Sequence, residues 1–258
     1  MRPVRAIRSI GVGPALLGRL AHRESTASPT GLDRLVVSAN QRVFERGWSP
    51  PWVWSDRRCR RYWTTRTSAA HGNKPSDYAS KPTAVVDAMV DLWSPEVSTS
   101  ASVLEVGCNT GPNLERLRLL GYSQLSGIEI NGASLEEMRI RFPNLVRQAD
   151  IKRGSLEEVL PRLADSYADV VFSMAVLHHV HPASNSIFTD MVRAARRYVC
   201  VIEPETITNS YIFARDYRRV FERLGCIMIR TREFQSPNLA AVDEAYVGYV
   251  ARLFRVPD

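Results

Sequence analysis

From residue 102 onward the chain alternates short apolar runs with amphipathic stretches. Runs at 102–106, 125–130, 146–149, 168–173, 198–203, 226–231 and 245–254 read as strands. Stretches at 112–120, 133–141, 155–163, 184–197 and 213–224 carry apolar residues at helical spacing. Strict alternation predicts a parallel sheet covered by helices on both faces. The last two strands are joined by a segment, 232–244, with no helical pattern, so they are expected to pair antiparallel. Upstream, residues 33–47 hold Leu35, Val36, Ala39, Val43 and Phe44 at helical spacing, and a second helix runs through Ala84, Val85, Ala88, Met89 and Leu92. Between them, Pro50 and Pro51 break any regular element, and the neighbouring Trp48, Trp52 and Trp54 are expected to fold back on the main domain.

The most informative run is Val103-Leu104-Glu105-Val106, which ends in the small-residue turn Gly107-Cys108-Asn109-Thr110-Gly111 and passes at once into an amphipathic helix. Strand, glycine turn and helix make the opening unit of a Rossmann-like, doubly wound α/β sheet. The full expectation is a seven-stranded, mostly parallel sheet with an antiparallel C-terminal hairpin and a short N-terminal extension. A second run, Leu125-Ser126-Gly127-Ile128-Glu129-Ile130, ends in an acid about 20 residues on, where such folds hold a ribose. Acids at two adjacent strand ends point to an adenosine-bearing cofactor. Dinucleotide dehydrogenases use G-x-G-x-x-G, whereas this turn lacks the third, helix-packing glycine.

These motifs resemble those of class I S-adenosylmethionine (SAM)-dependent methyltransferases, over roughly residues 100–255. Glu105-Val106-Gly107-Cys108-Asn109-Thr110-Gly111 is similar to their acidic-x-Gly-x-Gly-x-Gly motif, with Asn109 in place of the middle glycine. Glu129 and Ile130 match the ribose-binding strand end. Ala149-Asp150-Ile151 matches the segment that holds adenine, and the stretch from Asp169 through Ser173 to His178-His179 resembles the fourth-strand motif of small-molecule methyltransferases. The resemblance implies SAM as cofactor, bound by Glu105, Gly107, Cys108, Asn109, Gly111, Glu129, Ile130, Asp150, Ile151 and Ser173. The Gly-Cys-Asn-x-Gly turn with an upstream Tyr62-Trp63-Thr64-Thr65-Arg66 resembles methylases of sugar and secondary-metabolite pathways.

The chemistry agrees with that cofactor. SAM carries no phosphate, so the turn need only let a methionine carboxylate and amine approach the backbone. Free N–H groups at residues 111–114, opening a helix, suit the carboxylate, and Glu105 faces the ammonium side. A carboxylate at Glu129 accepts from two vicinal hydroxyls. His178, His179 and His181 follow the fourth strand, and His178 or His179 is a candidate general base; the other reading makes the pair a packing and capping signature. Glu203, at the fifth strand end, and Arg66, Asn73 and Tyr78 upstream are candidate substrate contacts. Adjacent histidines point apart and no carboxylate lies within a turn of them, so no metal site is expected.

Composition refines this picture. The chain has 258 residues with 45% hydrophobic and 24% charged, an ordinary globular mixture. Its net charge of +7 is uneven: residues 1–66 hold 13 arginines against Glu24, Asp33, Glu45 and Asp56, leaving the remainder slightly acidic. Residues 1–31 are expected to be a basic tail, 32–98 an extension closing over the site, and 99–258 the methyltransferase domain. The basic flank keeps a second acceptor class open, an RNA methylated at ribose or at a base position other than an adenine amino group. The fourth strand lacks Asn/Asp-Pro-Pro-aromatic, and no Pro-Cys supplies a cytosine nucleophile. A non-catalytic SAM-binding module is a third reading, opposed by the intact Glu105, Gly107, Gly111 and Glu129. Four cysteines without C-x-x-C or zinc spacing read as reduced thiols in a cytoplasmic protein. The arginine-rich start also has the composition of an organelle transit peptide, broken here by Gly11, Gly13 and Pro14. No apolar run approaches the roughly 20 residues that span a bilayer. The resemblance of the fourth-strand motif to that of small-molecule methyltransferases implies an oxygen or nitrogen of a small molecule as the methyl acceptor.

Overall fold

The computed structural model describes residues 31–67, 74–80, 83–234 and 246–257. Seven strands form one sheet: β1 (Ser102–Val106), β2 (Gln124–Glu129), β3 (Asp150–Arg153), β4 (Ala168–Met174), β5 (Ala195–Pro204), β6 (Ile227–Glu233) and β7 (Tyr249–Arg255). Their order is β3-β2-β1-β4-β5-β7-β6. The first five are parallel, and β7 enters antiparallel between β5 and β6. The expected sheet and its antiparallel close are both present. The strand order reverses at β1 and β4, and the crevice of an open α/β sheet lies outside the carboxyl ends of the strands at that point.

Ten helices are described, α1 (Gly31–Glu45), α2 (Asp56–Thr65), α3 (Pro75–Ala79), α4 (Ala84–Trp93), α5 (Pro112–Leu119), α6 (Gly132–Arg141), α7 (Pro143–Gln148), α8 (Leu156–Val159), α9 (Ser186–Ala194) and α10 (Tyr217–Glu222). Apolar side chains on the two faces of the sheet make two cores. One joins Val103, Val170, Phe172 and Cys200 to Met89 and Trp93 of α4; the other joins Leu104, Val171 and Val199 to Ile187 and Met191 of α9. Alternate residues of one strand thus feed opposite cores, as period-two geometry requires.

The third strand differs from expectation. Residues 146–149 are not a strand; they belong to the end of α7 and its C-cap. Pro143 occupies the first helical turn, where its fixed φ favours a helix start, and Leu145 is buried beneath Gly111. The strand begins only at Asp150, which pairs with Ser126, and ends at Arg153, which pairs with Glu129.

The N-terminal extension docks on the loop side of the sheet. Phe44 of α1 meets Phe213 edge-on at 5.5 Å, and Cys59 of α2 joins the same small core. Asn185 donates to the Phe44 carbonyl, Gln41 to the Glu205 carbonyl, and the Trp54 N–H to the Ser210 carbonyl. Trp54 lies on Tyr211, as a folded-back tryptophan should, whereas Trp48 stays exposed. Of the tail expected over residues 1–31, residues 1–30 lie outside the described residues, and Gly31 opens α1. Among those described, no helix is long and apolar enough to cross a membrane.

Candidate functional site

A deep pocket opens at the carboxyl ends of β1, β2 and β4, roofed by α2. Its floor is the glycine turn. Gly107 has φ +79° and Gly111 φ +81°. A Cβ at Gly107 would lie 2.6 Å from a methyl of Val176, so both the backbone conformation and the close approach demand glycine there. The Gly107 and Cys108 N–H groups donate to the Ile128 carbonyl, which fastens the turn to β2. The Cys108 sulfur fills the space over Gly127, where a Cβ would lie 2.7 Å from it. Asn109 takes the left-handed conformation at φ +48°, which asparagine tolerates better than most residues.

Glu129 lines the pocket and is held by two backbone donors. Its Oε2 accepts from the Asn109 N–H at 2.8 Å and its Oε1 from the Asn131 N–H at 2.7 Å. Burial raises its pKa despite those bonds. Glu105 is also buried; Oε1 accepts from Asn113 at 2.7 Å, while Oε2 has no partner among the described residues. Desolvation, partly offset by Asn113 and reinforced by Glu129, pushes the Glu105 carboxyl up to about 8. The Asn109 Oδ1 is likewise buried and unpartnered. A buried acceptor without a donor is costly, at about 1–3 kcal/mol, so this wall is built for a ligand rich in donors.

The helix-start donors are fewer than expected. Gly111 spends its N–H on the Cys108 carbonyl, and Pro112 has none. Only the N–H groups of Asn113 and Leu114 remain from the 111–114 set.

Two other expectations move. Asp150 and Ile151 do not line the pocket. Asp150 opens β3 at the amino edge of the sheet, about 10 Å from Glu129's end by strand rise, and bonds Lys152 and Tyr167 in an exposed position. The segment that does follow β3 into the pocket is Gly154, Ser155, Leu156 and Glu157. Glu203 and Ser173 also lie away from the pocket surface. Glu203 is fully buried: Oε1 accepts from the Ser173 hydroxyl and the Val176 and Leu177 N–H groups, and Oε2 lies 2.7 Å from His178 Nδ1. It is an internal clamp rather than a surface contact. Arg215 works from the other side, donating to the carbonyls of Leu177, Val180 and Phe213 and to Asn185 Oδ1.

The clamped segment after β4 is therefore rigid, with Ala175 at φ +59°. It turns His178 inward to Glu203 and His179 toward the pocket. The His179 ring lies 4.4 Å from Trp63 of α2 and stacks with Tyr211 at 6.3 Å. Its Nδ1 is buried without a partner among the described residues. Burial, with the adjacent His178 adding to it, holds its pKa well below the usual imidazole value. His181 does the capping, accepting from the Ala183 N–H, and its Nε2 lies 3.1 Å from the Ser49 hydroxyl.

Arg66 and Tyr78 line the same pocket, as does Tyr246. Arg66 is buried over the rings of Tyr62 and Trp63, and its carbonyl accepts from Asn131, which ties the extension to the end of β2. Asn73 lies outside the described residues. Pocket residues that sequence reasoning missed include Asp56, Cys59, Arg60, Asn131 and the 154–157 segment. For the last, the Ser155-x-x-Glu158 helix start was a usable signal, since it places the strand end just before it. No group of three or more metal-ligating side chains occurs among the described residues.

Residues 104–200 match a family model described as a methyltransferase domain. Residues 104–200 carry a methyltransferase domain, and the sheet has the class I SAM-dependent methyltransferase fold. Solved structures with the same fold include the magnesium protoporphyrin IX methyltransferase of Synechocystis PCC 6803 with bound demethylated cofactor. That chain is 13% identical, covers 79% of this chain and 100% of its own length, and superposes with a TM-score of 0.58. A SAM-dependent methyltransferase from Mesorhizobium loti is 15% identical over 67% of this chain and 96% of its own, with a TM-score of 0.53. The cyclase SpnF is 13% identical over 68% of this chain and 80% of its own, with a TM-score of 0.56. Curated proteins give no match. SAM is the cofactor of this methyltransferase, and the pocket suits it: Glu105 and Asn109 line the crevice with buried, unpartnered oxygens, and SAM carries the ammonium and hydroxyl donors that such acceptors require.

Proposed function

We propose that this methyltransferase acts on an oxygen or nitrogen of a small molecule. The observation that carries the reading is the roof. The chain's own α2 lays Trp63 across His179, and Arg66 and Tyr78 of the extension complete the wall. An acceptor must therefore fit beneath an aromatic lid, which favours a compact molecule over a polymer.

Glu105 would hold the methionine ammonium of the cofactor, and the N–H groups of Asn113 and Leu114 its carboxylate. Glu129 would take the ribose hydroxyls. The 154–157 segment replaces Asp150 and Ile151 as the adenine wall. The cofactor supplies a sulfonium-activated methyl group, so the protein's task is alignment, worth up to about 7–11 kcal/mol in favourable cases. His179 is the better placed of the two candidate bases, because His178 is committed to Glu203. A neutral imidazole at that position would accept the acceptor's proton as the methyl bond forms.

An RNA acceptor has less support. Of the four arginines on α2, Arg58 lies over Trp54 and Arg60 bonds Asp56, leaving Arg57 and Arg61 as exposed cations. The test is methyl transfer from labelled SAM to small-molecule and RNA fractions of a cell extract, with nuclease treatment of each. Label confined to nuclease-resistant small molecules supports the proposal, and label lost on nuclease digestion overturns it.

A further inference from the structure

The pocket continues past the ribose wall into a compartment between the N-terminus of α2 and the segments after β3 and β4. Its faces are apolar, formed by Leu156, Val180 and Ile187. Its polar groups are nearly all spoken for. The Glu157 carboxylate accepts from the Ser184 hydroxyl at 2.8 Å, and both His181 nitrogens have partners. Arg60 bonds one oxygen of Asp56. The other, Asp56 Oδ1, is buried and has no donor among the described residues. Apolar walls with one buried, unsatisfied acceptor suit an aromatic heterocycle bearing an N–H donor.

We infer that Asp56, reaching in from the N-terminal extension, accepts a hydrogen bond from the exocyclic amino group of the cofactor's adenine and so sets base specificity. The inference rests on the assignment of the crevice to SAM. It gives α2 a second role: the helix that roofs the acceptor also reads the base. A 6-oxo base would place a carbonyl oxygen against the Asp56 carboxylate, two acceptors facing each other with no proton between them.

Calorimetric titration with S-adenosylhomocysteine and its deaminated 6-oxo analogue, S-inosylhomocysteine, tests this on the full chain. The unaltered protein should bind the adenosyl compound at least about tenfold more tightly, the range expected for a hydrogen bond to a charged group. Asp56→Ala should lose about tenfold in affinity for the adenosyl compound while leaving the inosyl affinity unchanged or raised, because the facing acceptor is gone. Asp56→Asn, whose amide donates to a 6-oxo group, should narrow or invert the preference. Arg60→Met breaks the same ion pair but leaves the Asp56 carboxylate, and should keep the preference. If both Asp56 variants weaken the two compounds equally, or if Arg60→Met erases the preference as they do, Asp56 is a structural residue and the inference fails. If the unaltered protein binds neither compound, the cofactor assignment itself fails.

Discussion

His178 Nδ1 lies 2.7 Å from Glu203 Oε2, a buried pair in which the acid of the fifth strand end grips the turn that follows the fourth. The same carboxyl accepts from the Val176 and Leu177 N–H groups. One side chain thus fixes three consecutive residues, and the direction in which the next, His179, projects follows from that. Glu203→Ala would leave those donors buried and unpaired, at about 1–3 kcal/mol each. The expected outcome is a fall in Tm of several degrees, at about 2–4 °C per kcal/mol for a domain of this size. Hydrogen exchange should quicken at residues 176–178 above all. Unchanged exchange there would show that Arg215 alone holds the turn.

Glu105 carries a pH signature. Its folded pKa is about 8 against an ordinary 4.5, so between those values the folded state holds a proton that the unfolded chain has released. Stability from this group is therefore present below pH 4.5 and lost as pH rises toward 8. Glu105→Gln should be more stable than the parent at pH 8.5 and no different near pH 4, measured by thermal unfolding without cofactor. Binding of an ammonium beside Glu105 should release a proton near pH 7, seen as a binding enthalpy that varies with the ionisation heat of the buffer. A buffer-independent enthalpy would move the ammonium elsewhere.

His179 gives the opposite sign. Its pKa is depressed by burial, so below about pH 6.5 the unfolded chain gains a proton that the folded one refuses. The protein should lose stability as pH falls through that region, and His179→Gln should lose less. The same depression keeps the imidazole neutral, so single-turnover methyl transfer should show no fall between pH 7.5 and 6.5. Loss of a general base costs roughly 10²–10⁴-fold in rate where the acceptor must shed a proton; a His179→Gln rate within twofold of the parent would exclude that role.

Glu129→Ala should abolish or strongly weaken SAM binding. It removes the proposed ribose acceptor and also frees the Asn109 and Asn131 N–H groups that it now receives. Titration with SAM and with a 2′,3′-dideoxy analogue separates the two effects: loss of the ribose contact weakens SAM alone, and any loss shared by the dideoxy compound measures the freed turn. A variant that binds SAM with parental affinity would refute the ribose assignment.

Gly107→Ala should fail for a steric reason that a second change relieves in part. The new Cβ would meet the Val176 side chain at 2.6 Å. Overpacking of this kind costs roughly 1–3 kcal/mol, and Val176→Ala in the same chain should recover some of it. Strain from the φ of +79° should persist in the double variant. Full recovery of Tm would mean that the contact, not the backbone, demands glycine.

Most of the architecture was legible because its signals are local. A period-two run ending in Glu105, a glycine turn and a helical stretch can be read within one window, and so can the absence of a helix between the last two strands. The third strand was misread for the same reason in reverse. Leu145 and Val146 are apolar in any window, but Leu145 is buried in a helix under Gly111, a partner 34 positions away in the chain. With the strand displaced, Asp150 lies at the amino edge of the sheet, and 154–157 line the pocket in its place.

The sequence by itself determined, to within a residue, where the first, second, fourth and fifth strands end, because those ends follow from apolar runs and turn chemistry. It could not decide which way those residues face. Glu129 and Glu203 both close a strand beside the same crevice; one lines the pocket and the other is sealed beneath a turn whose N–H groups it satisfies. That difference is set by which unpaired donors lie within about 3 Å once the chain has closed. Asp56 belongs to the same category, since its approach to the pocket depends on α2 docking through Cys59 and on the Phe44–Phe213 contact, all between segments remote in sequence.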